Sequence, residues 1–258
     1  KLKQERKLTV VPPYAYNSAG AVSGGWSDVR SGVSAFAGVE SADLKVLNPP
    51  DTAGAFVAAP FVRSALAIGY NVAPCSSSGL TLSLDNLANI FHGRIASWND
   101  SRLVADAPCL AGHNQLIKAL HRTTASGATF MFTNFLNRYS STLWPEAPSM
   151  TWPLATGGAS QAITSNDFML YSIRITSDSI GYLPWSNKDP YYTINYASLT
   201  TSAGVLSMTA ATVRGAASFL EANGETSIPI CSSCWPLLAT SYVALRKETT
   251  IPPGSQYN

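Results

Sequence analysis

The sequence predicts an α/β protein built around a sheet, and three observations support this class. Segments with strand character alternate along the chain with segments of helical periodicity. Apolar residues make up 46% of the 258 residues, which is enough for one large domain or two lobes. No internal repeat or low-complexity tract breaks this order. Such alternation is typical of sheets that are covered by helices.

The predicted elements of the N-terminal half begin with a strand over 8–16, which a proline pair interrupts, and a short helix over 26–34. A strongly apolar run predicts a buried strand over 56–71. Ser83 is a suitable N-cap for a helix over 84–92. The apolar residues of this helix lie on one face, and they are Leu84, Leu87, Ile90 and Phe91.

The second half continues the alternation. A short strand is predicted over 116–120 and leads through a polar turn into a helix over 127–138. A strand over 179–183, a helix over 210–223 and a late strand over 237–245 follow. The sheet is therefore predicted to contain strands from distant parts of the chain.

Composition excludes several classes of function. Only 12% of the residues are charged, against about 25% in an ordinary soluble domain, and the formal net charge is +2. No Lys/Arg run is long enough to follow a phosphate backbone, so nucleic acid is not an expected partner. No apolar stretch is long enough to span a membrane. Serine and threonine supply 53 residues. A neutral surface of this kind indicates an extracellular or cell-surface protein, or a periplasmic one if the source is bacterial.

The four cysteines indicate two disulfides in an oxidising compartment. We expect the pairs Cys75–Cys109 and Cys231–Cys234. A thiol redox site at the C-S-S-C segment, free thiols and a metal site are the alternatives. Prolines on both sides of this segment argue against the helix start that a redox cysteine requires. No cofactor or metal is expected, because the three histidines show no ligand spacing, at His92, His113 and His121.

The segment over 120–130, L-H-R-T-T-A-S-G-A-T-F, carries the candidate binding chemistry. A strand delivers Arg122 to its carboxyl end, and a helix opens at Ser126. The first N–H groups of a helix lack intrahelical partners and favour an anion. Gly127 permits close approach, and Arg122 offers a planar fork to an oxyanion. The alternative is an ordinary N-cap at Ser126 and a surface ion pair at Arg122.

The same segment resembles the signature of the periplasmic phosphate-binding proteins of bacterial ABC transporters, which runs Arg, three residues, Ser-Gly-Thr and an aromatic-rich helix. Other stretches agree with that family in order along the chain, at 23–38, 60–71, 80–100 and 179–183. The blocks at 80–100 and 121–136 are the specific ones.

The resemblance implies a two-lobed periplasmic-binding-protein-like α/β fold, with a hinge of two crossing segments near 68–74 and 235–245. Lobe I is expected to comprise 1–67 plus 240–258, and lobe II to comprise 68–235. It also implies phosphate or another oxyanion as the ligand, in the cleft between the lobes. The residues that it assigns to this site are Ser23, Glu40, Arg122, Ser126, Gly127 and Ala128.

This sequence departs from the family pattern at three of the side-chain contacts. The signature Thr is Ala128, a Ser hydroxyl beside the S-G-G turn falls on Val22, and the family Asp falls on Glu40. Two lost hydrogen bonds to a charged ligand cost roughly 3–6 kcal/mol, or about two to four decades of affinity. The N-terminal strand with its G-x-G-A/S-T-F-P turn is absent from this sequence. A neighbouring module or protomer is expected to complete the lobe I sheet.

Two functions are consistent with these residues. The first is an extracellular phosphate-binding-protein-like module whose oxyanion site is weakened or lost. The alternative is a degenerate module that acts as a structural or adhesive subunit of an extracellular assembly. An enzyme is not expected, because no nucleophile–base pair is present and His121 is expected to pack at a strand end.

Overall fold

The computed structural model describes residues 36–39, 56–154, 161–187, 193–223, 228–229 and 231–246. Strands and helices alternate through this range, so the predicted α/β class is confirmed. The strand predicted over 8–16 and the helix predicted over 26–34 lie outside the described residues.

Within the described ranges, ten strands form two sheets. Their bounds are β1 Phe36–Val39, β2 Phe56–Asn71, β3 Thr81–Ser83, β4 Lys118–Arg122, β5 Gln161–Ile163, β6 Ser179–Pro184, β7 Asn195–Tyr196, β8 Ser198–Thr201, β9 Gly204–Leu206 and β10 Leu238–Arg246. The larger sheet has the order β1-β10-β2-β6-β4-β5, with β7 also paired to β2. The smaller sheet has the order β3-β8-β9.

Five α-helices in the described part of the chain connect these strands. They are α1 Leu84–His92, α2 Ser101–Asp106, α3 Gly127–Tyr139, α4 Asn166–Ile175 and α5 Ala210–Asn223. Helix α1 begins as predicted, because the Ser83 side chain accepts a hydrogen bond from the Asn86 N–H. Helix α2 has Asp100 as its N-cap, which accepts from the Arg102 N–H.

Strand β2 is the longest element of the larger sheet and changes its partner partway along. Its residues 56–65 pair antiparallel with β10, and its residues 66–71 pair antiparallel with β6. At the change the Trp235 Nε1–H donates to the Leu66 carbonyl oxygen at 2.7 Å. The lobe boundaries remain a prediction, which this change of partner supports.

Strand β4 is parallel to both of its neighbours, β5 and β6. Helix α4, which follows β5, packs closely on this part of the sheet because glycines leave room for it. A Cβ on Gly181 would lie 2.9 Å from Met169 Sδ and 3.1 Å from Ile173 Cδ1. Because β4 and β5 are parallel, their carboxyl ends meet at one edge of the sheet, close to the start of α4.

An aromatic cluster fills the space between α1, α3 and the sheet. Phe132 stacks on Tyr182 with centroids 4.5 Å apart, and Phe91 meets Phe132 edge to face at 4.7 Å. His121 is 1% exposed and stacks on Trp152 at 4.7 Å. Its Nδ1 lies 3.1 Å from the Arg122 carbonyl oxygen, whereas its Nε2 is buried with no hydrogen-bond partner. The expectation that His121 packs at a strand end agrees with this position.

Most element predictions in the described range are close to the structure. Strand β4 differs, since it spans Lys118–Arg122 and not 116–120. Leu116 makes only an isolated bridge to Ser97 and is exposed, whereas Leu120, His121 and Arg122 pair with β5. Helix α4 was not predicted, because its apolar residues alternate between the buried and the exposed sides of the helix.

Both expected disulfides are present, Cys75–Cys109 and Cys231–Cys234. The second disulfide closes a short loop between α5 and β10. Helix α5 passes close to this loop, and a Cβ on Gly215 would lie 2.3 Å from the Ser233 carbonyl oxygen. Position 215 therefore requires glycine, because a side chain there would overlap the loop.

Across the described part of the chain, none of the helices combines the length and the apolar character that crossing a membrane requires.

Acidification is expected to destabilise the fold through His121. Burial lowers the pKa of His121 below its ordinary value, so the folded state holds the ring neutral. The unfolded state takes up a proton first as the pH falls below about 6.5, so stability is lost from that pH downward. Urea unfolding of the unchanged chain and of His121→Phe checks this, because the phenyl ring retains the stacking on Trp152. A pH dependence that is the same in both proteins would contradict the assignment to His121.

The substitution Gly215→Ala is expected to destabilise the protein by about 1–3 kcal/mol, because the new methyl group would overlap the Ser233 carbonyl oxygen. Ser218→Ala, on the exposed side of the same helix, serves as the control and should leave the unfolding free energy nearly unchanged. Equal midpoints of urea unfolding for the two variants would show that the close approach does not exist in solution.

Candidate functional site

The candidate site lies where β4 leads into α3. Ser126 takes the N-cap position with φ −151° and ψ 136°, but its side chain makes no capping hydrogen bond. Its hydroxyl oxygen accepts from Arg122 Nη1 at 3.2 Å instead. The interpretation of Ser126 as an ordinary N-cap is therefore wrong, because its hydroxyl is used by Arg122. The N–H groups of the first turn, on Gly127, Ala128 and Thr129, lack intrahelical acceptors.

Arg122 is the central side chain of the site and is 2% exposed. Its Nη1 also donates to Asn166 Oδ1 at 2.6 Å. Its Nη2 donates to Thr124 Oγ1 at 3.0 Å and to the Thr164 carbonyl oxygen at 2.9 Å. A guanidinium has five N–H donors, and these bonds with the one to Ser126 use four of them. The remaining donor, Nε–H, is buried and has no hydrogen-bond partner among the residues that the structure describes.

The electrostatics of Arg122 follow from this burial. Its acceptors among the described residues are all neutral, so its charge is stabilised by dipoles. Burial lowers the pKa of the guanidinium, while Tyr182, in its ionised form, and the Asp167 carboxylate act in the opposite direction. The interpretation of Arg122 as a member of a surface ion pair is therefore wrong, since the side chain is enclosed by protein.

Tyr182 on β6 holds the strand and the helix in register at the site. Its hydroxyl accepts from the Arg122 backbone N–H at 3.3 Å and lies 2.8 Å from the Thr129 hydroxyl. Burial raises the pKa of Tyr182 to about 12, so the phenol stays protonated at neutral pH. Tyr182 thus joins the end of β4 to the first turn of α3.

A returning loop closes the other side of the helix start. The Ser126 N–H donates to the Met150 carbonyl oxygen at 2.9 Å. One turn further along the helix, the Thr133 hydroxyl donates to the Ser149 carbonyl oxygen at 3.0 Å. The position of Ser126 is therefore fixed by its backbone, which leaves its side chain available to Arg122.

The structure brings together four of the residues that the sequence assigns to the site, namely Arg122, Ser126, Gly127 and Ala128. Val22, Ser23 and Glu40 lie outside the described residues. Whether these positions bind a ligand remains a prediction.

Sequence reasoning missed the acceptors that surround the guanidinium. Thr164 and Asn166 follow β5, whose last residue, Ile163, lies opposite Arg122 in the parallel pair. The polar run Thr164-Ser165-Asn166 was the available signal, since polar residues after neighbouring parallel strands meet at one edge of the sheet. This signal was missed because helix α4, which begins within this run, was not predicted.

Within the described ranges, no group of His, Cys, Asp and Glu side chains could hold a metal ion.

Comparison with known proteins identifies relatives of this chain. A family model for the PBP superfamily domain matches residues 12–235. The phosphate-binding protein PstS of Haemophilus influenzae is 29% identical over 204 residues, which cover 75% of this chain and 59% of that protein. PstS of Xylella fastidiosa is 29% identical over 178 residues, which cover 63% of this chain and 46% of the relative. The chain spans about half the length of the curated relatives it matches.

Solved structures share the fold. A phosphate-binding protein from Stenotrophomonas maltophilia superposes with a TM-score of 0.57 at 19% identity, over 82% of this chain and 64% of the other. A high-affinity periplasmic phosphate-binding protein solved with bound phosphate gives a TM-score of 0.58 at 18% identity, over 90% of this chain and 70% of that protein. The chain therefore belongs to the PBP superfamily domain family and has the two-lobed α/β fold of its phosphate-binding members.

Proposed function

We propose that this chain is an extracellular phosphate-binding-protein-like module that binds phosphate, or a related oxyanion, weakly at the start of α3. The observation that carries the proposal is the state of Arg122. Its guanidinium is buried at the helix start, and four of its five donors are already used by neutral protein acceptors.

The charge balance of the site favours an anion. A buried cation whose hydrogen-bond acceptors are all neutral is costly even with the Asp167 carboxylate nearby, and an anion beside it would recover part of that cost. The uncapped first turn of α3 offers N–H groups on the same side, and the helix dipole adds to their effect. The buried Nε–H of Arg122 is one more donor without a partner.

The same bonds weaken the site. An oxyanion that approaches the guanidinium fork has to displace Ser126, Asn166, Thr124 or Thr164 as acceptor. Ala128 offers no hydroxyl where the related signature has Thr. Each missing hydrogen bond to a charged ligand costs roughly 1.5–3 kcal/mol.

The relatives support the choice of anion and of compartment. Those in the comparison are described as phosphate-binding proteins, and one of them as periplasmic. Phosphate is therefore the first ligand to test, and a cell surface, extracellular space or periplasm is the compartment that we infer. We also propose that the site lies in a cleft between two lobes. A neighbouring module or protomer is proposed to complete the lobe I sheet. The function is binding and not catalysis.

A second candidate, a structural or adhesive subunit of an extracellular assembly, is favoured by a different observation. Helix α4 exposes Phe168 and Ile175, and both are large apolar residues. Exposed apolar residues that form a patch mark surfaces that associate with other molecules. Such a subunit needs no phosphate, so calorimetric titration with phosphate separates the two candidates.

The substitution Ala128→Thr is expected to tighten phosphate binding about 10- to 100-fold, because it restores a hydroxyl at the first turn of α3. Ala128→Val is the matched control, since valine has the same shape as threonine without the hydroxyl, and it should not tighten binding. Isothermal titration calorimetry with inorganic phosphate measures both. No heat of binding from the unchanged chain or from Ala128→Thr at millimolar phosphate would contradict the proposal.

The substitution Thr124→Val is expected to tighten phosphate binding by up to about tenfold, because it releases one Nη2–H of Arg122 for the anion. Thr123→Val is the control, since the Thr123 hydroxyl donates to the Ile163 carbonyl oxygen. Both residues are exposed, so neither change disturbs the core. Weaker phosphate binding by Thr124→Val would mean that its hydroxyl serves the ligand and not the competing bond.

A further inference from the structure

The disulfide Cys231–Cys234 closes a very small loop, and we call residues 231–234 the disulfide loop. Its two cysteines are 3 positions apart in the sequence, whereas Cys75 and Cys109 are 34 positions apart. The constraint that a disulfide places on the unfolded chain grows with the length of the loop that it closes. Cys231–Cys234 therefore constrains little of the unfolded chain, and its effect on the folded protein is local.

The residue that directly follows the disulfide loop is Trp235, which is completely buried. Its backbone N–H donates to the Thr212 carbonyl oxygen of α5 at 2.9 Å. Its indole Nε1–H donates to the Leu66 carbonyl oxygen of β2 at 2.7 Å. Trp235 thus joins strand β2 to a helix from a distant part of the chain.

Leu66 is the point at which β2 exchanges one partner strand for another. Ala65 is the last residue of β2 that pairs with β10, and Leu66 is the first that pairs with β6. The Leu66 N–H still donates to the Leu237 carbonyl oxygen at 2.9 Å, on the side of β10. The N–H and the carbonyl of one strand residue point to the same side, so the Trp235 indole adds a hydrogen bond on the β10 side of β2.

The disulfide loop is packed directly on α5. A Cβ on Gly215 would lie 2.3 Å from the Ser233 carbonyl oxygen, so the helix and the loop approach as closely as glycine permits. The Cys234 N–H donates to the Cys231 carbonyl oxygen at 3.2 Å, which makes the loop a tight turn. The covalent bond and the contact with α5 together fix the direction in which the chain enters Trp235 and then β10.

The two cysteines of the disulfide loop differ in exposure. Cys234 is 1% exposed, whereas Cys231 is partly exposed and the two serines between them are exposed. An external thiolate can therefore reach Cys231. In the described part of the chain no helix begins at Cys231, so the pair lacks the helix start that stabilises the thiolate of a catalytic redox cysteine. The disulfide is thus a substrate for thiol exchange and not a catalyst of it.

The other disulfide is held by the core on both sides. Cys75 lies in one short helical turn and is completely buried, and Cys109 lies in a second such turn and packs against the core. Thiols that a packed core keeps side by side re-form their bond, so this disulfide resists reduction. It serves as the internal reference for Cys231–Cys234.

We propose that Cys231–Cys234 is a redox-sensitive clamp, which in its oxidised form holds Trp235 against β2 and which on reduction by a dithiol loosens the pairing of β2 with β10. The pairing of β2 with β6 lies beyond Leu66 and is retained. The contact between β2 and β10 thus depends on the redox state of the surroundings. The proposal does not depend on phosphate binding.

The reduction proceeds by two thiol–disulfide exchanges. A thiolate of the dithiol attacks Cys231 Sγ, the bond between the two protein sulfurs breaks, and Cys234 takes up a proton as it leaves. The second thiolate of the dithiol attacks the reductant sulfur of this mixed disulfide, and Cys231 leaves as the second protein thiol. Two electrons and two protons pass to the protein, and the dithiol is oxidised to a cyclic disulfide.

Stepwise reduction of the folded full chain with dithiothreitol tests the order of reduction. Alkylation of the free thiols, followed by mass spectrometry, identifies the pair that is reduced at each concentration. Cys231 and Cys234 should be alkylated at a reductant concentration at least about tenfold below that required for Cys75 and Cys109. Simultaneous reduction of both pairs, or earlier reduction of Cys75–Cys109, would contradict the proposal.

Hydrogen–deuterium exchange of the chain that is reduced only at Cys231–Cys234 tests the effect on the sheet. The amides of 56–65 and 238–246 should exchange about two- to tenfold faster than in the oxidised chain, because the hydrogen bond from Trp235 is weakened. The amides of 118–122 should be unchanged. The double variant C231S/C234S should show the same exchange without reductant. Exchange at β2 and β10 that is equal in the reduced and oxidised chains would show that the disulfide is not a clamp.

Two matched variants test whether the clamp acts through Trp235. Trp235→Phe keeps an aromatic ring and removes the indole N–H, so β2 and β10 should exchange faster in the oxidised chain and reduction should add little. Trp98→Phe removes a similar bond, from a buried indole to the Asp178 carbonyl oxygen at 3.1 Å, and should leave the effect of reduction unchanged. A full effect of reduction in Trp235→Phe would mean that the disulfide acts by another route, and it would overturn the proposal.

Discussion

The burial of one guanidinium is the constraint on which this part of the fold depends. Arg122 is almost fully enclosed, and a charge removed from water must find hydrogen-bond acceptors nearby. The acceptors come from the turn before α3, from its N-cap and from the chain that enters α4. Parallel pairing of β4 with β5 brings these segments together, and Tyr182 on β6 fixes the end of β4 against α3. The sheet topology is thus what makes a buried arginine possible here.

The same constraint relates this chain to its family and underlies the proposal that its site binds an anion weakly. Strand, turn and helix start are retained, and they are the parts that create a positive site from backbone geometry. The arginine is enclosed, and its four terminal donors are bonded to protein. A ligand has to compete with those bonds, so affinity depends on the difference between two sets of hydrogen bonds. The anion is expected to bind, but weakly.

The sequence predicts the elements with strong periodicity and the local geometry of the signature, but not the contacts between distant segments. Helix α5 and the Ser83 cap of α1 follow from residues within one element. Helix α4 does not, because an apolar stripe on its exposed side obscures the periodicity of its buried side. Thr164 and Asn166 could not be assigned to Arg122 without the register of β5 against β4, which tertiary pairing determines. The partner of Ser126 was missed for a related reason, since its role depends on the burial of Arg122.

The most direct test of the account is a phosphate titration followed by ¹⁵N NMR, with chloride at equal ionic strength as the reference. The account predicts that the Arg122 Nε–H resonance and the backbone amides of Gly127 and Ala128 shift together and approach saturation only at high phosphate concentration. The Arg122 Nε–H has no acceptor among the described residues, and the two amides have no acceptor within the helix. Resonances that stay unchanged in phosphate, or that shift equally in chloride, would contradict an oxyanion site at the start of α3.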